Sequence, residues 1–272
     1  MMKYIPTLTI AGSDSGGGAG IQADIKTMSA LGCYACSAIT SITVQNTLGV
    51  TAVEAVAPEI VEGQIRAVME DIAPRHIKLG MVNDVATIGA VVRALSVADY
   101  DEFVVDPVMV SSSGRNLMQP EALDMFISEL LPLSTLVTPN LPEAAVLSGL
   151  SESSDVELMA GRILGLGCRS VLIKGGHMDG PSKKDVLFSG GSCFTYECPV
   201  VETRNSHGTG CTLSSAIISF LARGECMEVA VGHAKEYITK ALIAGADVVI
   251  GRGTGPVNHF FDGRCRLIKS VL

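Results

Sequence analysis

Thr7-Leu8-Thr9-Ile10-Ala11 is a short apolar strand. It runs into Gly12-Ser13-Asp14-Ser15-Gly16-Gly17-Gly18-Ala19-Gly20, and a helical stretch follows from about Ile21 to Leu31. Strand, glycine-rich turn and helix in succession make one βα unit, and the alternation continues along the chain. Tyr34–Gln45 is rich in Ile, Thr and Val and reads as a strand. Pro58 suits a helix start, and Glu59–Ile72 follows at helical spacing. His76–Leu79 and Phe103–Val105 are strands, with a helix between them that Asp84 caps and that ends at Leu95. Pro120–Leu131 is a helix, Thr135–Thr138 a strand, and Asn140 opens a helix that stops near Gly149. Asp155–Leu166 is a helix and Ser170–Lys174 a strand. Val186–Ser189 and Cys193–Glu197 form a hairpin around Gly190-Gly191, and two long helices, Thr212–Arg223 and Met227–Ala246, follow. Short continuous apolar strands between helices predict an α/β fold of three layers, α/β/α, with a mostly parallel central sheet flanked by helices. No linker, repeat or low-complexity run interrupts the pattern, so one domain over residues 1–272 is expected.

Composition narrows the function. Hydrophobic residues make up 47% of the 272, enough for a sizeable core. A net charge of −8, 4% aromatics and no Trp argue against nucleic acid as a partner. An anionic substrate must then be held locally, by amides, a lysine or a metal. No apolar run reaches the about 20 residues that span a bilayer, and the start of the chain does not read as a signal peptide. Eight cysteines in a chain of this size read as reduced thiols in the cytoplasm.

In open parallel sheets, ligands sit at the carboxyl ends of the strands. Gly12–Gly20, Gln45, Gly80-Met81, Asp106, Asn140, Lys174 and Gly208–Cys211 all follow strands or begin helices. The first loop has five glycines in nine positions. It fits neither the P-loop nor the dinucleotide fingerprint, and close backbone approach to a ligand competes with a plain turn. Gln45-Asn46-Thr47 can form a turn or read a heterocycle, since an amide offers both donor and acceptor. Asn140 and Glu143 are spaced as a capping box. Glu143 with Asp106 also fits a Mg²⁺ site, where hard oxygens and substrate phosphates share the ion. Lys174 ends a buried strand, and a nucleotide phosphate would use its charge.

Asn205-Ser206-His207-Gly208-Thr209-Gly210-Cys211-Thr212 precedes the apolar run Leu213–Leu221. A glycine turn at a helix start exposes unpaired amides and positive partial charge, which makes an anion seat. Cys211 is either a small core residue or a thiol that the same field makes more acidic and therefore a base. The turn points to phosphoryl transfer.

Five motifs in order carry a family resemblance from about Thr7 to Phe260. They are Gly12-Ser13-Asp14 through Gly18-Ala19-Gly20-Ile21-Gln22-Ala23-Asp24, then Gln45-Asn46-Thr47, then Thr138-Pro139-Asn140-Leu141-Pro142-Glu143-Ala144, then Lys174-Gly175-Gly176-His177, then His207-Gly208-Thr209-Gly210-Cys211-Thr212. The chain resembles the hydroxymethylpyrimidine and phosphomethylpyrimidine kinases of thiamine biosynthesis, in the ribokinase-like superfamily. The resemblance implies ATP, Mg²⁺, a small pyrimidine substrate and a homodimer, without nucleic acid or membrane partners. It implies that Gly12, Ala19, Asp24, Thr43, Gln45 and Met81 surround the pyrimidine. It implies that Asn140, Lys174 and Gly208-Thr209-Gly210 meet the ATP phosphates, that Asp106 and Glu143 face the metal, and that Cys211 is the catalytic base. Ser15, where proline is frequent, and Thr43, where a small apolar residue is frequent, depart from the pattern. Pyridoxal kinase on the same scaffold is the alternative. A non-catalytic pyrimidine-binding protein would show erosion of Asp106, Glu143, Lys174 and Cys211, all of which are intact. A sugar kinase would carry aspartate at the position of Cys211.

Overall fold

The computed structural model describes residues 3–110, 117–175 and 182–263. Their nine strands form one sheet in the order β3-β2-β1-β4-β5-β6-β7-β8-β9. The strands are β1 (Pro6–Asp14), β2 (Tyr34–Asn46), β3 (Gly49–Ala55), β4 (His76–Leu79), β5 (Glu102–Val105), β6 (Leu136–Val137), β7 (Ser170–Ile173), β8 (Ser182–Ser189) and β9 (Ser192–Pro199). From β2 to β7 the sheet is parallel, and β3 at one edge and β8–β9 at the other run antiparallel. The expected α/β/α layers are present, with a hydrophobic core on each side of the sheet. One face packs on α2 (Pro58–Asp71), α3 (Val85–Leu95), α5 (Leu141–Ser148) and α6 (Val156–Leu164) through residues such as Ile10, Ile65, Val91, Leu147 and Ile163. The other packs on α1 (Gly20–Ala30), α7 (Thr209–Ala222) and α8 (Met227–Gly245) through Met28, Val104, Ile217 and Ile238.

The helix signals act as expected. The Asp84 side chain accepts from Thr87 N at the start of α3, and Asp155 does the same for α6. Gly149 closes α5 in the left-handed conformation. Three elements differ from the expectation. β3 is an edge strand with mixed exposure, so its alternation is weak in sequence. The stretch from Pro120 is α-helical only to Met125 (α4) and continues as a π turn, Phe126–Leu130, and a 3₁₀ turn, Leu131–Leu133, which contains Pro132. α7 starts at Thr209, three residues before the expected start, so the glycine turn itself enters the helix. No helix among the described residues is long and apolar enough to cross a membrane.

Candidate active site

The site is assembled by ladder hydrogen bonds that extend past the strand ends. Asp106 N donates to Leu79 O, Thr138 N to Val105 O and Lys174 N to Pro139 O, at 2.8–2.9 Å. Asp106, Asn140 and Lys174 therefore line up side by side across β5, β6 and β7, with Asn140 bridged to Lys174. Lys174 Nζ is 2.8 Å from Asp106 Oδ1, which also accepts from Thr138 Oγ1 at 3.1 Å. Burial pulls the Lys174 ammonium down, but Asp106 and Glu143 more than offset it and its pKa rises. The next residues of that motif, Gly176 and His177, lie outside the described residues.

Asn140 and Glu143 do form the capping box. Asn140 Oδ1 accepts from Glu143 N at 2.9 Å and Glu143 Oε2 from Asn140 N at 2.8 Å. The cap does not exclude the second reading, because the same carboxyl is buried beside Lys174 and Asp106. Burial, opposed by Lys174 and reinforced by Asp106, pushes Glu143 up to about 7. Two carboxylates crowded until one holds a proton near neutral pH are a donor set that suits a divalent cation in place of that proton.

The opposite wall comes from β1, β2 and the turn before α7. Gly208 is the N-cap of α7 at φ 80°, and a Cβ there would collide with Gly18 O, so glycine is required on both grounds. Thr209, Gly210 and Cys211 form the first turn of the helix. The amides of Gly210 and Cys211 have no acceptor among the described residues. The two walls meet at Gly210: a Cβ there would lie 3.3 Å from Asp106 Oδ2 and 3.5 Å from Lys174 Nζ. The turn is braced from behind by Gly255 O, which accepts from His207 N at 3.0 Å. Asn205 ties the same segment to the end of α8 through Gly245 O and Val248 O, both at 2.7 Å.

Gly12 at the end of β1 faces Met81 and Ser41. A Cβ on Gly12 would come within 2.7 Å of Ser41 Oγ and 2.8 Å of Met81 Cε. Asp14 organises the glycine loop by accepting from the amides of Gly16, Gly18 and Ala19 at 2.7–3.0 Å. The second motif divides its labour. Gln45 points its amide at His207 Nε2, 3.2 Å away. Asn46 Oδ1 caps Leu48 N as a turn former. Thr47 holds Arg252, Gly253 and Thr254 through their amides. The two departures from the family pattern both engage Gln45: Ser15 Oγ bonds its backbone N and O, and Thr43 Oγ1 meets its amide.

Two expectations need correction. Asp24 is fully buried, and both of its oxygens are taken. Thr9 Oγ1 donates at 2.6 Å, Ser215 Oγ at 2.7 Å, and Lys78 Nζ at 2.8 and 3.0 Å. It has no oxygen left for a pyrimidine and instead ties α1 to β4 and to the second turn of α7. The Cys211 thiol is not more acidic than usual. Burial pushes it up to about 11. Lys78 and a hydrogen bond from Gly20 N–H oppose the rise, while Asp24 and Asp106 add to it. Desolvation and two carboxylates outweigh the pull of Lys78 and the Gly20 amide.

Lys78 was not anticipated from sequence. It is a fully buried side chain in the strand His76–Leu79, and Asp24 and the charges of Cys211 and Asp106 raise its pKa despite burial. The one signal was a lysine inside an otherwise apolar strand. Asp14 and His207 were visible within motifs, but no spacing rule joins positions so far apart in the chain.

Amides without acceptors, a lysine and two buried carboxylates point to transfer of a phosphoryl group, and the sheet places the chain among the ribokinase-like small-molecule kinases. Relatives narrow that class. The family model for phosphomethylpyrimidine kinase matches residues 14–258. A hydroxymethylpyrimidine/phosphomethylpyrimidine kinase of Rhizobium meliloti is 50% identical over 256 residues, 93% of this chain and 96% of that one. The crystal structure of phosphomethylpyrimidine kinase from Clostridium difficile 630 is similar at 47% identity and TM-score 0.78, covering 88% of this chain and 100% of that one. The pyridoxal kinase of Staphylococcus aureus in complex with AMP-PCP and pyridoxal is similar at 32% identity and TM-score 0.87, covering 97% and 96%. The chain belongs to the phosphomethylpyrimidine kinase family.

Proposed function

We propose that the protein transfers the γ-phosphoryl group of ATP to the hydroxymethyl oxygen of 4-amino-5-hydroxymethyl-2-methylpyrimidine, and then phosphorylates the monophosphate to the diphosphate, in thiamine biosynthesis. The observation that carries this reading is the meeting at Gly210, where a turn with two unaccepted amides faces Lys174 and Asp106. Gly12, Ala19, Thr43, Gln45 and Met81 line the pyrimidine, with Asp24 supporting from beneath. Asn140, Lys174, Gly208, Thr209 and Gly210 hold the ATP phosphates.

In this mechanism the hydroxyl oxygen attacks the γ-phosphorus in line, the bond to the β–γ bridging oxygen breaks, and ADP leaves. The Gly210 and Cys211 amides stabilise charge on the moving group, and Lys174 neutralises the polyphosphate. Cys211 takes the hydroxyl proton as thiolate. Its raised pKa makes that form scarce at neutral pH, so Lys78 serves the step by opposing the rise. Asp106 and Glu143 would hold Mg²⁺, which when bound supplies charge neutralisation on the phosphates.

Measuring ADP release with the hydroxymethylpyrimidine, its monophosphate and pyridoxal as separate acceptors tests the reading. Both pyrimidines should exceed pyridoxal. Pyridoxal as the best acceptor would favour the alternative, which the close backbone match to a pyridoxal kinase keeps in play.

The same reading takes residues 1–272 as one catalytic domain, supported by the single sheet, and places it in the cytoplasm, supported by seven described cysteines that are all free. A homodimer is supported by Ile42, Val44 and Leu48 on the β2–β3 edge, 54%, 59% and 60% exposed. Sedimentation of Val44→Lys should show a monomer where the parent is a dimer.

A further inference from the structure

Gly20 and Asp24 lie four residues apart on α1, and Cys211 and Ser215 lie four residues apart on α7. Residues at that spacing stand one above the other on a single helix face. The two faces meet in order. Gly20 N–H donates to the Cys211 sulfur, and Ser215 Oγ donates to Asp24 Oδ1 at 2.7 Å. The two helices therefore start side by side and run in the same direction, with the thiol between their first turns. Ser215 differs from the other serines around it. Ser214 and Ser219 turn their hydroxyls back onto carbonyls four residues earlier, Gly210 O at 3.0 Å and Ser215 O at 2.6 Å, as serine inside a helix commonly does. Ser215 gives its hydroxyl proton to another helix instead. The acceptor is fixed. Lys78 Nζ holds both oxygens of Asp24 from β4, Thr9 Oγ1 holds Oδ2 from β1 at 2.6 Å, and all four residues are fully buried. The donor amide is fixed as well. Gly20 has φ 56°, and a Cβ there would lie 2.2 Å from Gly12 O, so only glycine lets the loop close back onto the end of β1 at that point.

We propose that the Asp24–Ser215 hydrogen bond pins α1 and α7 in the register that sets the Gly20 amide on the Cys211 sulfur, and that Asp24 and Ser215 are thereby positioning residues for the base. The inference rests on the kinase reading above and deepens it. It gives Asp24, which has no oxygen left for a substrate, a part in the reaction from one helical turn away. Apolar contact between two helices has no direction and tolerates sliding. A buried hydrogen bond to a carboxylate fixed from two strands does not. The distances involved are small. A helix rises about 1.5 Å per residue, so a slip of α7 by one residue along α1 moves the sulfur by more than the roughly 1 Å misplacement that can cost about 10²-fold in rate. An amide N–H on the sulfur also favours thiolate over thiol, so the same register both aims the base and assists its ionisation.

The test compares kcat for the hydroxymethylpyrimidine with kcat for its monophosphate, because only the first substrate needs a base to take a hydroxyl proton. Ser215→Ala removes the pin and leaves the Lys78–Asp24 pair. It should lower the first kcat about tenfold, less than loss of the base itself, and leave the second within about twofold. Thr9→Val removes an equally short hydrogen bond to the same carboxylate, but one that comes from β1, and should leave the ratio of the two steps unchanged. A merely structural role of Ser215 would lower both steps together. An unchanged ratio in Ser215→Ala overturns the register, and so does a ratio that Thr9→Val moves as far. If Ser215→Ala does not fold, Ser215→Cys decides by the same ratio, since a thiol is a weak donor: a ratio lowered several-fold supports the pin and an unchanged one overturns it. A wild-type enzyme that phosphorylates neither pyrimidine overturns the functional reading and the inference with it, whereas a wild type that phosphorylates both beside an unaffected Ser215→Ala overturns the inference alone.

Discussion

The two walls that meet at Gly210 are organised by different physics. On the β1–β2 side, hydrogen bonds of fixed direction prevail. Asp14 shares its carboxylate among three loop amides and His207, and Ser15, Thr43 and His207 hold Gln45. On the β5–β7 side, charges prevail, with Lys174, Asp106 and Glu143 crowded together in a buried site. A fixed order of donors and acceptors separates molecules of similar shape, because a wrong partner leaves buried groups unpaired. A cluster of charges separates them poorly, but it stabilises a polyphosphate and the charge that develops on the moving group. Under the proposed reaction, selectivity belongs to the first wall and rate to the second, with Cys211 between them.

The sharpest way to break this division is at Cys211. Cys211→Ala should lower kcat for the hydroxymethylpyrimidine by about 10²–10⁴-fold, the usual worth of a general base. The monophosphate already presents an anionic oxygen, so its phosphorylation should fall much less. Equal losses in both steps would remove Cys211 from the proton path. The raised thiol sets a pH signature as well. kcat/KM reports ionisation of the free enzyme, and a base form that appears only toward about 11 predicts a first step that still rises with pH at alkaline values. A plateau from neutral pH upward would contradict that.

Lys174→Met probes the charged wall alone. It should lower kcat/KM about 10²–10³-fold in both phosphorylations, on the scale of losing one preorganised electrostatic partner. The ratio between the hydroxymethylpyrimidine and pyridoxal as acceptors should stay where it was. A shift in that ratio would mean that the charged wall also reads the ring, and the comparison would fail.

Beneath both walls lies the Lys78–Asp24 pair. Lys78→Met strands a buried carboxylate and should lower the unfolding free energy by about 3–5 kcal/mol. Lys78→Met with Asp24→Asn should recover part of that loss, since no bare charge remains. Urea unfolding checks both, and equal losses in the single and double variants would show that the charge pairing is not what matters there.

This pair also marks where the sequence stops being legible. Alternating apolar strands and helix caps are local signals, and they announce the layers, the parallel sheet and most boundaries. The candidate site positions follow, because strand ends and helix starts are local features too. What binds one site residue to another is not local. Asp24 meets Lys78 across two strands and meets Ser215 far along the chain, and Asp14 meets His207 likewise. The Cys211 thiol shows the same limit: its helix-start position argues for acidity, but the burial and the carboxylates that reverse the sign arise only in the folded chain.

The smallest effect separates the two walls by sign. Glu143 has its pKa raised from 4.5 to about 7 in the folded protein. Between those values the native state binds more protons than the unfolded chain, so its contribution to stability falls as pH rises across that window. Asp14 is lowered from 3.8. Its contribution is present above that value and is lost as pH falls through the folded pKa. Melting temperature against pH, measured on the ligand-free protein, should therefore change in opposite ways for two isosteric variants. Glu143→Gln should flatten a decline between about 4.5 and 7. Asp14→Asn should leave that decline intact and remove stability above about 3.8. The contrast follows from what surrounds each carboxyl. Glu143 is crowded by Asp106 in a buried site and retains its proton, whereas Asp14 is ringed by amide donors and a histidine and gives its proton up. If Glu143→Gln leaves the decline untouched, the charged wall does not carry the strained carboxyl pair, and the case for a cation shared by Asp106 and Glu143 loses its physical ground.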